Sequence, residues 1–478
     1  MPRTARIATA STMVLAILSV AHADEVVPTV MSPPAHTELH YNEDYSYLVD
    51  PAARTHFFDP AKYVSLSTNP QVYLTFGGQL RYRYEYFNNY TFGSGPQDSN
   101  GDHLLRVMLS ADLHVNPYFR IFTEGISATE QGRVGGPRPA DENTIDLYQA
   151  FADINIPVTP DTKLTLRGGR QVIIFGAQRL IGVSDFTNVR RTDDAIRVTL
   201  SRPDNNLDLF YARPVEVLPY DLDYSVPATF FAGAYDTWDV PGIFAKANTK
   251  LETYGIYVSR QTNTFNKTTS GESRYTFGTR LTLNPKPFDY DLEADYQVGQ
   301  FAGQQTQAFS IATIAGYTPD DVPLSPRAFL GADIASGGSR NHPGDTFDQL
   351  FPSAHDQFGV IDALGRQNII DVHPGVTLTL LEDKPAAQKL TLLMQYRQFW
   401  RESDQDAIYT SSGTVERASN GSTAMSIGGE ADIQLSWQLR RAVSTYIGYA
   451  HFLHGPFITA TGPADDIDFF YTAVTLQF

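Results

Sequence analysis

Apolar and polar residues alternate along much of the chain, and the C-terminal end shows this pattern most clearly. In the last eleven residues, Phe478, Leu476, Val474, Thr472 and Phe470 share one face, and mostly polar residues lie between them. A period of two residues is typical of a β-strand with one apolar face. Such a strand is unusual at the terminus of a soluble sheet, because termini fray. It fits a closed cylinder, in which the last strand pairs with the first and leaves no open edge.

The same alternation recurs from about Val72 onward and predicts roughly 18 strands. The predicted strands begin near Val72, His103, Tyr118, Ile145, Thr162, Asp194, Asn206, Gly242, Leu251, Arg274, Tyr290, Gln305, Arg327, Asn368, Lys389, Ala424, Ala442 and Ile467. Short connections rich in Asn, Asp and Pro alternate with longer ones. The predicted long loops are 88–103, 128–144, 174–193, 215–240, 262–273, 336–367, 402–423 and 454–466.

Alternation of short turns and long loops is typical of outer-membrane barrels, and an even strand count returns both termini to the periplasm. A β-solenoid would show a fixed repeat, which the sequence lacks, and a sandwich does not need alternating loop lengths. We therefore predict an all-β fold, a transmembrane antiparallel β-barrel of about 18 strands over residues 71–478.

The N-terminal region predicts export. Arg3 and Arg6 precede an apolar run, and the small residues Ala21 and Ala23 provide a cleavage site, so residues 1–23 read as a signal peptide. Residues 24–70 are rich in proline and polar residues and predict an irregular periplasmic lead-in segment. The sequence leaves open whether this segment also enters the lumen.

Composition agrees with an exported barrel. The chain has no cysteine and a mean hydropathy of −0.25, and an alternating wall averages to such a value. No apolar stretch near 18 residues follows residue 23, so no transmembrane helix is expected. The net charge of −17 argues against a nucleic-acid partner. Many of the acids fall in the predicted outer loops, where divalent cations could bridge them to lipopolysaccharide.

Alternation also assigns charged residues to the water-filled lumen. The basic set is Arg81, Arg83, Arg106, Arg120, Arg167, Arg197, Arg280, Arg327, Arg397 and Arg401. The acidic set is Glu85, Asp112, Glu124, Asp153, Asp291, Glu293, Asp295, Glu430 and Asp432. One interpretation is a solvated wall of ion pairs that contributes little to stability. The other is a path for an anionic solute, in which mixed signs keep each contact weak enough for conduction.

Several motifs resemble the alginate export family of outer-membrane proteins. The blocks that carry this resemblance are 166–180, 188–197, 298–303, 325–327, 335–337, 346–355 and 365–370. The resemblance implies a monomeric 18-stranded channel with an arginine-lined constriction that passes polyanionic polysaccharide outward. The residues that match the arginine-rich motif of the family are Arg170, Arg179, Arg190, Arg191 and Arg197.

The sequence leaves two points of this resemblance open, the position of Arg170 and the identity of a plugging loop. The alternation places Arg170 on the outward face, so either a bulge at Gly168 and Gly169 turns it inward or it lies at the rim. The connection around Arg440 is too short for a periplasmic plug, and a plugging loop could come from 174–193 or 336–367.

We predict an outer-membrane channel rather than an enzyme. The sequence has no nucleophile-elbow motif, and a possible calcium motif at Asp98, Asn100 and Asp102 lacks the required glycine and glutamate. We therefore expect no catalytic residue, metal site or cofactor. The predicted solute is an acidic polysaccharide or another anion, and the alternative is a general or cation-preferring porin. Expected partners are outer-membrane lipids, the barrel assembly machinery and periplasmic export proteins.

Overall fold

The computed structural model describes residues 36–97, 100–240, 249–384 and 387–478, and antiparallel strands dominate it. The eighteen barrel strands are β1 (Tyr73–Asn88), β2 (Asp102–Asn116), β3 (Phe119–Gln131), β4 (Asn143–Thr159), β5 (Thr162–Gln171), β6 (Asp193–Arg202), β7 (Asn205–Glu216), β8 (Thr229–Asp239), β9 (Thr249–Phe265), β10 (Thr268–Leu283), β11 (Phe288–Phe301), β12 (Gln304–Tyr317), β13 (Arg327–Ala335), β14 (Ile369–Asp383), β15 (Gln388–Trp400), β16 (Ser426–Arg440), β17 (Val443–His454) and β18 (Ile467–Gln477).

The barrel is closed by its first and last strands, as predicted. Strand β1 pairs with β2 and with β18, where Leu80 lies opposite Leu476 and Tyr82 lies opposite Val474. The terminal Phe478 extends this pairing, since its N–H donates to the Gly78 carbonyl at 3.0 Å and its carbonyl accepts from the Gly78 N–H at 3.1 Å. Closure leaves none of the eighteen described strands with an open edge.

The two faces of the wall differ as the alternation predicted. On β1, Arg81, Arg83 and Glu85 are buried inside, whereas Leu80 and Tyr82 are 40% and 44% exposed. Exposed apolar residues continue this outer band around the barrel, among them Leu109, Ile121, Ile196, Phe277, Tyr296, Leu330 and Val474. An apolar exterior around a charged interior is the arrangement of a barrel that stands in a lipid bilayer.

Two predicted loops were wrong. Strand β8 occupies 229–239, inside the predicted loop 215–240, where adjacent Phe230 and Phe231 and several small residues obscure the alternation. The predicted loop 262–273 is instead a tight hairpin between β9 and β10, and Asn266 adopts a φ of 54° at its turn. The predicted strand start near Gly242 lies outside the described residues.

Few helices accompany the strands. They are the helices Asp59–Lys62 and Pro456–Thr461 and the 3-10 turns His40–Asn42, Ser46–Val49, Pro51–Ala53, Tyr90–Gly93 and Pro343–Asp345. Short strands outside the main wall positions are Val64–Ser65, Tyr224–Ser225, Ile408–Tyr409 and Val415–Arg417. Within the described ranges, none of the helices combines the length and the apolar character that crossing a membrane requires.

The N-terminal prediction is described only in part. The predicted signal peptide 1–23, together with residues 24–35 of the lead-in segment, lies outside the described residues. The predicted division into 1–23, 24–70 and 71–478 therefore stays a prediction. Residues 36–63 contact the barrel where β1 begins, since Tyr63 stacks on Tyr73 and the Thr75 hydroxyl donates to the Lys62 carbonyl at 2.9 Å, and Lys62 is buried there.

Lys62 makes the attachment of this segment depend on pH. Its Nζ lies 4.7 Å from the centroid of the Tyr45 ring, and burial lowers the pKa of Lys62 from 10.5 to about 8. Between these two pH values the unfolded segment holds a proton that the folded segment has lost, so the stability of the packing rises with pH across this window. The whole difference corresponds to about 3 kcal/mol. Hydrogen-exchange protection of 59–66 should therefore increase from pH 8 to 10.5, and Lys62→Met should remove that increase.

Candidate functional site: a lumen crossed by two loops

The β5–β6 loop (172–192) folds inward and is fixed to the wall by arginines of β1 and β2. Arg81 donates to the carbonyls of Asp185 at 2.6 Å and Thr187 at 2.9 Å. Arg83 donates to the carbonyl of Phe186, and Arg106 donates to that of Thr187 at 3.2 Å. Three predicted lumen arginines thus satisfy the backbone of a loop, which an irregular segment inside a barrel requires.

Charge complementarity holds this loop at both of its sides. Asp185 forms ion pairs with Arg106 at 2.8 Å and Arg190 at 3.1 Å. Burial acts to raise the pKa of Asp185, but the guanidiniums of Arg106, Arg190 and Arg81 lower it well below its usual range. Across the lumen, Arg179 of the same loop pairs with Asp291 at 3.0 Å and Glu293 at 2.6 Å on β11. The loop therefore bridges a basic wall and an acidic wall.

The β13–β14 loop (336–368) also enters the lumen. Arg274 donates to the carbonyls of Gly344 and Thr346, each at 2.9 Å. Arg397 donates to those of Asp356 at 2.9 Å and Gln357 at 3.1 Å. Both segments that the sequence suggested as plugging loops thus contact the interior of the barrel.

The two inner loops join each other. The Gly182 N–H donates to the Phe351 carbonyl at 3.0 Å, and the Phe351 N–H donates to the Leu180 carbonyl at 2.8 Å. Arg191 donates to the Pro352 carbonyl at 2.7 Å. The ring of Phe186 stacks on His355 with a centroid distance of 3.4 Å. Because of these contacts, the loops meet as one partition across the lumen.

Most of the remaining predicted lumen residues lie inside and are paired along the wall. These pairs are Arg83–Glu85 (2.7 Å), Arg120–Asp112, Arg167–Asp153 (2.7 Å), Arg197–Asp208 (2.7 Å), Arg280–Glu252 (2.9 Å), Arg327–Asp289 and Arg397–Asp371 (2.8 Å). Glu124 accepts from Gln149 at 2.7 Å. Arg401 differs, since it follows β15 and donates to carbonyls of its own loop, including Asp404 at 2.9 Å.

Arg170 lies at the rim, which is one of the two positions that the sequence left open. The pairing of β5 runs in register from Arg167 to Arg170, so no bulge turns its side chain inward. Arg170 pairs with Asp194 at 3.0 Å and donates to the carbonyl of Asp223 at 3.0 Å. It therefore fixes the loop after β7 rather than lining the lumen.

A cavity of about 310 Å³ remains beside the two inner loops. Four arginines line it, namely Arg179, Arg327, Arg366 and Arg397. Arg366 belongs to the β13–β14 loop and pairs with Asp333 at 2.8 Å. Arg366 was not predicted as a lumen residue, because strand alternation says nothing about a side chain on a loop; the motif 365–370 was the available signal.

Three side chains next to this cavity have metal-ligand chemistry. Asp333, Asp371 and His373 can bring one ligand atom each within 4.8 Å of one another. The two carboxylates already form ion pairs with Arg366 and Arg397, each at 2.8 Å, and His373 Nδ1 lies 2.6 Å from Asp371 Oδ2. Two guanidiniums balance two carboxylates, so we assign this cluster to the cavity wall rather than to a metal.

Comparisons with known proteins agree with the barrel. A family model described as alginate export matches residues 72–471. None of the curated protein sequences compared with the chain matches it.

Solved structures of outer-membrane proteins have the same fold. OpdK of Pseudomonas aeruginosa, crystallised with vanillate, has a TM-score of 0.56 at 10% identity, with 85% of this chain and 98% of that chain covered. OccK8 (OprE) of Pseudomonas aeruginosa has a TM-score of 0.55 at 12% identity, with 85% and 98% covered. OccAB2 of Acinetobacter baumannii has a TM-score of 0.55 at 10% identity, with 84% and 98% covered.

Proposed function

The chain belongs to the alginate export family of outer-membrane proteins, and from this premise we propose that its lumen passes an anionic solute, an acidic polysaccharide such as alginate or its fragments. The protein is an outer-membrane channel, which both the family and the barrel support. What the structure adds to the proposal is a set of guanidiniums beside the inner loops.

The observation that carries the proposal is the arginine-lined cavity. Arg179, Arg327, Arg366 and Arg397 approach it from two loops and two strands. A guanidinium presents two parallel N–H groups to a carboxylate, which makes arginine suited to recognising a carboxylated sugar. Several such groups along one path give the chain of binding positions that a passing polymer needs.

The paired acids explain how binding stays weak enough for transport. Each cavity arginine has a carboxylate partner, such as Asp289 for Arg327 and Asp333 for Arg366. A solute carboxylate must compete with these partners, so each contact has a small net free energy. Conduction through a selective pore requires many weak sites rather than one tight site.

Reversal potentials in a planar bilayer under a salt gradient test this proposal. We expect the wild-type channel to prefer anions, because the cavity guanidiniums attract them. Arg327→Gln should reduce this preference, since Arg327 is the least buried of the four and forms no ion pair or hydrogen bond with an inner loop in the described ranges. Its conductance should stay close to wild type. Asp289→Asn is the matched control, because it frees the Arg327 charge and should increase anion preference.

The second candidate is a general or cation-preferring porin. It is favoured by the acidic wall of Asp291, Glu293 and Asp295 and by the net charge of −17. Cation preference in the wild-type channel would overturn the anionic solute and support this candidate.

We further propose how the channel is inserted into the membrane and which partners it has there. The barrel assembly machinery inserts it as a monomer after residues 1–23 direct export, and periplasmic proteins deliver the polymer. Acids of the outer loops bind divalent cations that bridge them to lipopolysaccharide. Chemical cross-linking of the channel in intact membranes, followed by mass spectrometry, tests these partners.

A further inference from the structure

We propose that residues 36–43 form an internal plug that the anionic solute displaces. The plug occupies a solute-binding site in the half of the lumen where β1 begins. The identity of the displacing solute rests on the proposed function, whereas the plug rests on its own contacts. We call residues 36–43 the N-terminal plug.

Polar side chains of the lumen hold the N-terminal plug. His40 Nδ1 lies 2.6 Å from Glu124 Oε1 on β3. Arg190 of the β5–β6 loop donates to the Glu38 carbonyl at 2.8 Å, and Gln178 of the same loop donates to Glu38 Oε2 at 3.1 Å. The plug is therefore tied both to the wall and to an inner loop.

Tyr41 fills an aromatic pocket on the same wall. Its ring makes edge contacts with Phe122 at 5.5 Å and Phe151 at 5.1 Å between centroids. The Arg167 guanidinium lies 4.3 Å from the Tyr41 centroid, and Arg120 donates to the Tyr41 carbonyl at 2.5 Å. Tyr41 is only 6% exposed.

This pocket has the chemistry of a site for a carboxylated sugar. The wall offers guanidinium donors from Arg120 and Arg167 and apolar ring faces from Phe122 and Phe151. The plug meets Arg120 with the Tyr41 carbonyl, and it meets Arg167 and the two phenylalanine rings with the Tyr41 ring. A sugar acid offers the same combination of oxygen acceptors and an apolar ring face. A cavity of about 640 Å³, lined in part by Arg120, Arg167 and Lys163, adjoins the plug.

The way the plug is attached allows it to leave. Its backbone forms hydrogen bonds within itself, from Asn42 N–H to the Leu39 carbonyl at 2.8 Å and from Glu43 N–H to the His40 carbonyl at 3.2 Å. In the described part of the chain, its contacts with the wall and the β5–β6 loop are made by side chains and single carbonyls rather than by strand pairing. Displacement would therefore leave the barrel hydrogen bonds intact, and it would release Arg190 and Gln178 of the β5–β6 loop from their contacts with Glu38.

Two variants test the plug in planar bilayers, with oligoalginate as the probe. In the first, a glycine–serine linker of equal length replaces 36–43. In the second, Glu38→Cys and Gln178→Cys are joined by a reducible bifunctional thiol reagent, which the absence of native cysteine makes selective. His40→Ala is a milder variant, and His56→Ala is its control, because His56 is exposed, lies outside 36–43 and pairs with Asp59. Heat-modifiable mobility in gels verifies that each variant is folded.

The linker variant should show higher conductance in potassium chloride. If the plug fills the site in nine channels of ten, its removal should also lower the half-blocking oligoalginate concentration about tenfold. His40→Ala should shift both quantities in the same direction, and His56→Ala should shift neither. The cross-linked channel should lose block by oligoalginate and regain it after reduction.

Unchanged conductance and unchanged block in the linker variant would overturn the plug, as would normal block in the cross-linked channel. A failure of the proposed function would give different results. If the wild type prefers cations and shows no block while the linker variant conducts more, the anionic solute is rejected and occlusion of the lumen by the plug is retained. Anion preference with an inert linker variant would reject the plug alone.

Discussion

Replacing Arg106 with methionine should release the β5–β6 loop and increase single-channel conductance. Arg106 donates to the carbonyls of Asp185 at 3.1 Å and Thr187 at 3.2 Å, and it pairs with the Asp185 carboxylate at 2.8 Å. Methionine keeps much of the apolar volume and removes all of these donors. The wall would then lose its closest ion pair with Asp185.

The size of the effect follows from what remains unpaired. Removing one partner of a buried ion pair leaves the other charge without its counter-charge. We expect a cost of about 3 kcal/mol, at the lower end of the range for such pairs, because Asp185 is partly exposed and keeps its ion pair with Arg190. A difference of that size shifts the equilibrium between attached and released loop by about a hundredfold. Fluctuating conductance levels and faster proteolysis within 172–192 would measure the shift.

Arg327→Gln is the matched control for this experiment. It also removes a lumen guanidinium, but its partner is Asp289 on the wall, and among the described residues it has no ion pair or hydrogen bond with either inner loop. It should alter ion preference while leaving conductance and proteolysis unchanged. Faster proteolysis within 172–192 at unchanged conductance in the Arg106→Met channel would show that this loop does not restrict the lumen, whereas no change in either would show that Arg81 and Arg83 suffice to hold it.

The wall of the barrel was predictable because apolar and charged residues alternate within each strand between the lipid-facing side and the lumen-facing side. Leu80 and Tyr82 alternate with Arg81 and Arg83, and this local pattern is sufficient to place both faces. Strand β8 was missed because Phe230 and Phe231 are adjacent and the neighbouring residues are small. Its position is fixed instead by pairing of Phe231 with Ala212 and Val258, which lie on other strands.

The inner partition was not predictable in the same way, because it depends on contacts between residues distant in sequence. Arg106 meets Asp185, and Gly182 meets Phe351, without any periodicity that relates them. The sequence could indicate two candidate plugging loops from their length and motifs. It could not show that Arg81, Arg83 and Arg106 hold backbone carbonyls, and these arginines were therefore expected to bind solute directly.

Arg274→Met should have a comparable effect on the other inner loop. Arg274 is fully buried and donates to the carbonyls of Gly344 and Thr346, to Glu272 at 2.7 Å and to Gln297 at 2.9 Å. Glu272 keeps a second partner in Arg260 at 2.9 Å, so the main loss is at the loop backbone. Unmet carbonyls and lost charged hydrogen bonds should together cost on the order of 4 kcal/mol. Conductance should rise, and proteolysis within 336–368 should become faster.

The double variant Arg106→Met/Arg274→Met distinguishes two loops that move separately from one partition that moves as a unit. The hydrogen bonds between Gly182 and Phe351 and between Arg191 and Pro352 join the loops, so releasing either one should loosen the other. If they move as a unit, both sets of contacts break in one opening, so the double variant should favour opening of 172–192 by the sum of the two single free-energy changes. We expect this sum. Proteolysis within 172–192 that is no faster in the double variant than in Arg106→Met alone would instead mean that the junction breaks before either loop leaves the wall, and the lumen would then have two independent gates.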